Sequence, residues 1–465
     1  MNVKLFVPLC AAILFACTPS EHEKKIPLSQ RFDPVTRSYA FTIPNLEPLA
    51  GVGSVRAQDC GTCHISIYNE WRASTHATAL QDIQFQAELA KADSPKWLCL
   101  NCHIPVQNQR EYFITHLLDG NIMKPVKVAN KKFDSILQKE SITCATCHVR
   151  RDPKTGASYV IGPIGSALAP HPTRKDSTFL RNICYRCHDP KGEGLTPNLL
   201  CWFETRKEME EGRSAPGAGD MASADCVTCH MPVVKRALVD SLEGLPIRNS
   251  HQHHWTGSGI PKWYQGYETL LERGFKPGLD VKVGALSQAS GGDSLRVRIQ
   301  LKNSRSGHAL PTGDPERFIL AIAELRDSQG QSMWEKRMRI GQTWEWNPAR
   351  KIGDNRLKQG EAFNWQVAMP GPLKMPGAQL SIKVLHVRLT AQNARHMMET
   401  QGVNEAYLER GTYLAQNIKD FYPFATFLFV EEIDLTTRKR RKYTPEELID
   451  LSRKEQGRAL DARIY

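Results

Sequence analysis

The spacing of apolar residues changes partway along this chain, and the change divides it. Between Cys60 and about Trp255 no long stretch keeps a helical or a strand period, and short apolar runs are broken by Pro, Gly and charge. That pattern predicts short helices and loops. Beyond Gly274 the residues alternate and become β-branched. Leu279-Asp-Val-Lys-Val, Leu295-Arg-Val-Arg-Ile-Gln-Leu, Phe318-Ile-Leu-Ala-Ile-Ala-Glu-Leu, Leu380-Ser-Ile-Lys-Val-Leu and Phe424-Ala-Thr-Phe-Leu-Phe-Val read as strands between turn-rich breaks. Several short alternating strands predict an antiparallel β-sandwich. The chain closes on Thr444-Pro-Glu-Glu447, a capping box with proline at the first helical position, opening a polar amphipathic helix. At the other end Lys4 precedes an apolar run from Leu5 to Ala16, which reads as a secretion signal too short to anchor in a bilayer. The predicted fold class is α+β, with a signal peptide at 1–16, a linker at 17–57, a first domain at 58–262, the sandwich at 263–435, and a basic segment with a final helix at 436–465.

Cysteine usage gives the first domain its chemistry. Ten of the 13 cysteines fall in five Cys-x-x-Cys-His units: Cys60/Cys63/His64, Cys99/Cys102/His103, Cys144/Cys147/His148, Cys184/Cys187/His188 and Cys226/Cys229/His230. Two cysteines at this spacing reach the two vinyl groups of one porphyrin, and the adjacent histidine meets the iron. One such unit also suits zinc or thiol redox chemistry. Five units, each ending in histidine, point to five covalently attached c-type hemes. A segment with roughly 40 residues per motif could not bury enough side-chain surface unaided, so stacked macrocycles would form its core. The remaining cysteines are Cys10 in the signal, Cys17, and Cys201, which reads as a small buried apolar residue.

Each iron needs a second axial ligand or stays open for chemistry. His76 lies in Tyr68-Asn-Glu-Trp71-Arg-Ala-Ser74-Thr-His76, a helix-compatible run. Twelve residues of helix span about 18 Å, so His76 should ligate a neighbouring heme and not the iron held by His64. His171 sits between Pro170 and Pro172, stiff enough to present a ligand. The cluster His251-Gln-His253-His254-Trp255 is expected to supply one ligand, His253, its neighbours partnering propionates or facing solvent. His116, in Phe113-Ile-Thr-His116-Leu-Leu, is a candidate placed on an apolar helical face, where it serves either as a ligand or as a core histidine. His308, held by Gly307 and Pro311 in a loop at a strand end, is expected to ligate a heme or bond a propionate at the domain interface. His22, His386 and His396 have no marking context, and Met231 is expected to pack on a macrocycle.

The formal net charge of +12 would suggest nucleic acid or an anionic membrane. A pair of propionates on every heme absorbs much of that surplus, and nucleic acid is not needed as a partner. The run Arg438-Lys-Arg-Arg-Lys442 reads as a solvated basic face.

Three resemblances add to this. Leu14-Phe-Ala-Cys17 resembles a lipoprotein lipobox, which implies lipid on Cys17 as the membrane anchor and, with Thr18 following, a periplasmic or cell-surface location at the outer membrane. The heme motifs, Trp71-x-x-Ser74-x-His76, Cys226-x-x-Cys229-His230-Met231-Pro232 and His253-His254-Trp255-Thr-Gly257 resemble the multiheme cytochrome superfamily that includes hydroxylamine-oxidising and pentaheme nitrite-reducing enzymes. Gly307-His308-x-x-Pro311-Thr312-Gly313 is similar to a loop of multiheme cytochromes that append a β domain. The resemblance implies a carrier passing electrons between redox partner proteins. The alternative it leaves open is a reductase or oxidase of a small nitrogen or sulfur compound at a five-coordinate heme. Nitrite reductases of this kind bind their catalytic heme through Cys-x-x-Cys-Lys, which is absent from this sequence.

Overall fold

The protein was analysed as a computed structural model that describes residues 23–190 (except 167), 203–255, 276–289, 294–399 (except 347 and 372–374), 425–456, 458 and 465. Cys17, His22 and Cys201 lie outside the described residues. The fold is α+β with several antiparallel sheets.

In the N-terminal half the described helices are short, the longest being Thr205–Arg213 with nine residues. Small sheets stand between them: Lys25–Pro27, Tyr112–Leu118 and Pro125–Ala129 form one, and Val149–Arg151, Ser158–Gly162 and Thr173–Lys175 another. Its apolar core is divided among separate small clusters, as expected of a segment with no sustained period.

The stretch expected as a linker is folded from residue 23 on. Lys25–Pro27 pairs antiparallel with Tyr112–Leu118. Phe32, Tyr39 and Ala40 pack with Trp97, Leu98 and Leu117, while Ile43, Leu46, Leu49 and Val55 pack with Val106, Leu137 and Val149. This segment fastens the regions around the second and third motifs together.

The C-terminal half is a sandwich. One sheet runs, in spatial order, Ala349–Asp354, Ser332–Trp346, Phe318–Arg326, Gln379–Val387, Ala425–Asp434 and Arg440–Lys442. The second places Ser294–Asn303 between Ala362–Pro370 and the two short strands Leu279–Val283 and Ser287–Gln288. Alternation along the strands sends Leu295, Val297, Ile299 and Leu301 from one sheet against Ile319, Ala321, Leu380, Ile382 and Val384 from the other. The opposite face of the larger sheet buries Leu320, Ile322, Leu385 and Phe427 against the last helix, Pro445–Gln456. The described residues 436–456 thus pack on the sandwich. The expected capping box is present: Glu447 N–H donates to Thr444 Oγ1 at 3.3 Å and Thr444 N–H to Glu447 Oε2 at 2.8 Å. The basic run is an exposed edge strand in which Arg440 bonds Glu431 and Arg441 bonds Glu447.

The two halves meet where Thr205–Arg213 lies on the loop after Asn303. Gly212 makes this approach possible, because a Cβ there would stand 2.2 Å from the Gly307 carbonyl oxygen. Glu208 fixes the contact: it accepts from Thr312 Oγ1 at 2.6 Å and from the Arg356 guanidinium at 2.6 Å, both ion-pair side chains being about nine-tenths buried.

Candidate heme-binding site

Four of the motifs occupy about one turn of helix ending at the histidine: Lys96–His103, Cys144–His148, Tyr185–His188 and Cys226–His230. Helical spacing puts cysteines three residues apart on one face, with the histidine at the C-terminal end of the same turn. The Asp225 carboxylate caps the last of these helices by accepting from Thr228 N–H at 2.7 Å.

The first motif departs from this pattern at Cys63. The helix Ala57–Cys60 ends on the first cysteine, so Cys63 lies on the turn that follows and not on a helix. The chain stops winding where the Tyr68 ring packs onto Gly61; a Cβ on Gly61 would stand 2.6 Å from Tyr68 Cγ. The turn nonetheless keeps the reach of the motif, because Cys63 N–H and His64 N–H both donate to the Cys60 carbonyl, at 3.3 and 3.0 Å. The Cys63 sulfur has the Thr62 hydroxyl 3.9 Å away. At the second motif the Cys99 sulfur lies 3.8 Å from Ser94 Oγ, and at the fifth Cys229 is exposed. All ten motif cysteines are free of disulfides, as attachment to heme requires.

The imidazoles are set up as iron ligands. Nδ1–H of His64, His103 and His148 donates to the backbone carbonyls of Leu238, Ala79 and Ile161 at 2.6, 2.6 and 2.9 Å. A carbonyl oxygen only accepts, so each bond fixes the proton on Nδ1 and leaves the Nε2 lone pair for a metal. Burial is the main cause that lowers the pKa of His148 and brings His188 down to about 4. Both stay neutral near pH 7, which is the form that ligates.

Three distal candidates stand opposite motif histidines. Ring centroids are 6.2 Å apart for His76 and His188, 6.2 Å for His253 and His148, and 6.3 Å for His308 and His230. A metal about 2 Å from one nitrogen of each of two imidazoles leaves the ring centres about 6 Å apart. The residues present therefore fit irons held between two histidines.

Each distal residue is held by its own surroundings. The helix Ile65–Arg72 stops short of His76, so the continuous helix expected through that residue is absent; the chain turns after Trp71 instead. Trp71 Nε1–H donates to the Ile142 carbonyl at 2.8 Å, and Ile142 N–H donates to the His76 carbonyl at 3.1 Å. The His76 ring then stands at the fourth motif, 6.2 Å from His188. His253 N–H donates to Glu70 Oε2 at 2.9 Å, and Glu70 forms a two-pronged ion pair with Arg236 at 2.7 and 3.1 Å. Arg236 also bonds the His251 carbonyl, which accepts from His253 Nδ1–H at 2.9 Å. Nothing in the sequence marked Glu70 or Arg236 as supports for a ligand, because 166 residues separate them. His308 has Nδ1 2.9 Å from both Ser306 Oγ and the Ala309 carbonyl, and burial takes its pKa down to about 4.

His171 lies within electrostatic reach of His64; burial first, then that neighbour's charge, lowers its pKa. Its segment packs tightly on the turn at Gly51 (φ +78°), where a Cβ would fall 2.0 Å from the Pro170 carbonyl oxygen. His116 is on the strand Tyr112–Leu118 and not on a helix. Its neighbour Leu117 faces Trp97 and Leu98, so alternation turns His116 away from that cluster. It is not in any of the three ring pairs above. At the second motif the ring of Phe85 lies flat on His103, with centroids 3.4 Å apart.

The motifs also touch through their sulfurs. The Cys60 thiol hydrogen-bonds Cys144, Cys102 bonds Cys187, and Cys184 bonds Cys226, while Cys147 lies in electrostatic reach of Cys187. First and third, third and fourth, fourth and second, and fourth and fifth motifs are thus neighbours.

Residues 59–149 match the protein family described as cytochrome c554 and c-prime. Among solved structures the fold is similar to that of a penta-heme cytochrome c552 from Thermochromatium tepidum, at 18% identity and a TM-score of 0.51, covering 83% of this chain and 99% of that one. A β-glucuronidase from Bacteroides uniformis aligns over 24% of this chain and 11% of its own at 15% identity, with a TM-score of 0.13, too low to bear on the fold. No curated protein matches the chain. With the attachment motifs and the paired histidines, these likenesses support the reading of the chain as a multiheme c-type cytochrome. The same findings support c-type heme as the cofactor.

Proposed function

We propose that the chain is a carrier with five hemes, one on each motif, that relays electrons between redox partner proteins outside the cytoplasm. The three histidine pairs at 6.2–6.3 Å carry this reading. On this reading His76 serves the iron of His188, His253 that of His148 and His308 that of His230, and His171, which lies within electrostatic reach of His64, serves the iron of that motif. An iron with both axial positions filled exchanges electrons and does not bind a substrate, and two histidines hold its potential below that of a His/Met site. The first motif stands beside the third, and the second and fifth both beside the fourth, while the third lies within electrostatic reach of the fourth, an arrangement that suits a branched relay.

Export follows from the apolar run after Lys4, and Cys17 would carry the lipid anchor; among the described residues no helix is long and apolar enough to cross a membrane. Intact-mass analysis of the purified protein tests the heme count and the anchor. The expected mass is that of a chain beginning at lipid-bearing Cys17 plus five hemes. A mass short of five hemes would refute the count, and an unmodified chain beginning elsewhere would refute the anchor.

A further inference from the structure

Where the second and fourth motifs meet, two guanidinium groups stand beside the attachment cysteines with only neutral acceptors. The short helix Ser38–Ala40 lies against both Lys96–His103 and Tyr185–His188. On the side of the second motif Arg110 is 6% exposed. One of its terminal nitrogens donates to Asn101 Oδ1 at 3.0 Å and the other to the Trp97 carbonyl at 3.3 Å. Asn101 stands between Cys99 and Cys102, and its own amide donates to the Tyr39 carbonyl at 3.2 Å. On the side of the fourth motif Arg186 stands between Cys184 and Cys187. It donates to the Phe41 carbonyl, and its Nε is buried without a partner. Tyr39 and Trp97 belong to the apolar cluster on which Phe41 and Cys102 pack.

Among the described residues no carboxylate pairs with either guanidinium. Burial accordingly draws the pKa of Arg110 down to about 10, which leaves it charged at pH 7. The first and fifth motifs are set differently. Ala57 N–H, at the head of the first motif's helix, donates to Glu140 at 2.6 Å, and Asp225 caps the helix of the fifth. The arginines there are paired, Arg56 with Asp134 at 2.8 Å and Arg181 with Asp225 at 3.3 Å. A ferric heme carries one more positive charge than a ferrous one. A cation buried beside it therefore disfavours the oxidised form and raises the potential, a carboxylate lowers it, and apolar surroundings preserve the effect.

We infer that Arg110 and Arg186 raise the potentials of the hemes on the second and fourth motifs above those on the first and fifth, so that electrons in the relay collect at this junction. The inference rests on the relay reading, with heme on both motifs. The third motif has charge of both signs and should fall between: Thr143 Oγ1 donates to Glu140 at 3.0 Å, and Arg150 donates to the Thr146 carbonyl at 3.1 Å.

Spectroelectrochemical titration of the holoprotein tests this, with Arg110→Met, Arg110→Lys, Arg186→Met and Arg186→Lys compared with the parent at full heme content. Each Met variant is expected to move one component downward, a different one in each, and both from the upper end of the parent titration. The Lys variants keep the charge and should stay near the parent. Arg186 is only half-buried, so its pair of variants decides the matter even where Arg110→Met does not fold. Components that stay in place or move upward would overturn the inference. So would equal shifts in the Met and Lys variants, because packing and not charge would then set the potential. Movement confined to the lower components would overturn the order. Peptide mapping of the parent that finds no heme at Cys99 or Cys184 would instead overturn the heme assignment on which the inference rests.

Discussion

Glu70 shows how a residue far from any iron can decide ligation. It bonds the backbone of His253 and pairs with Arg236, with side chains only 12% and 13% exposed. Glu70→Ala would leave the Arg236 guanidinium buried without its carboxylate, at a cost of about 3 kcal/mol. It would also free His253. We expect chemical denaturation to detect the lost stability and electron paramagnetic resonance to detect a high-spin fraction at one iron; Glu70→Gln, which keeps the acceptor, should restore most of the low-spin signal. His253→Met tests the same ligand electronically. A thioether in place of imidazole raises the potential, so one component of a spectroelectrochemical titration should move upward while the others stay. An unmoved titration would remove His253 from the ligand set.

At the scale of elements, Glu324 makes the sandwich acid-sensitive. Burial works against its ionisation, but hydrogen bonds and charge from Arg326 and Lys383 prevail and hold its pKa at about 2. The folded state then binds fewer protons than the unfolded chain between the ordinary value of 4.5 and about 2. Its contribution is present above that window and lost as pH falls through it. Glu324→Gln should lower stability at pH 7 and flatten the acid limb of a melting-temperature profile; an equally steep limb would assign the sensitivity elsewhere.

The elements also show what could be read in advance. Strands such as Ser294–Asn303 and Phe318–Arg326 were legible because half or more of their residues face apolar surroundings. Ser332–Trp346 and Ala362–Pro370 were not, since they alternate Trp, Met and Phe with charge and amide on a largely exposed face. The attachment motifs are local in sequence and can be read without the fold, although the turn that carries Cys63 in place of a helix is visible only in the structure, where Tyr68 packs onto Gly61. His253 and His308 could be chosen from their immediate neighbours, because glycine, proline and a histidine cluster mark a held loop. The partner each would meet could not, since the pairing of His308 with His230 depends on Gly212 and Glu208 docking a helix onto the loop. His116 was misassigned to a helix because Phe-Ile-Thr-His-Leu-Leu fits a strand equally well, and pairing with Pro125–Ala129 decided it.

For the molecule as a whole, the two halves are stabilised by different means. The sandwich has one large apolar core between its sheets and a smaller one under its last helix, whereas the N-terminal half has only several small ones between its motifs. Removing a heme should therefore loosen only one half. In Cys144→Ser/Cys147→Ser, limited proteolysis is expected to cut first between residues 58 and 255 and to leave the sandwich intact; initial cleavage in the sandwich would contradict the division. The central claim, a carrier whose irons are closed by paired histidines, is tested most directly by quantitative electron paramagnetic resonance of the fully oxidised holoprotein. The account predicts low-spin bis-histidine signals from the irons of His64, His148, His188 and His230, amounting to at least four of the five, and no high-spin signal of a whole iron. A high-spin signal amounting to one iron or more would contradict it and bring an enzymatic reading to the front.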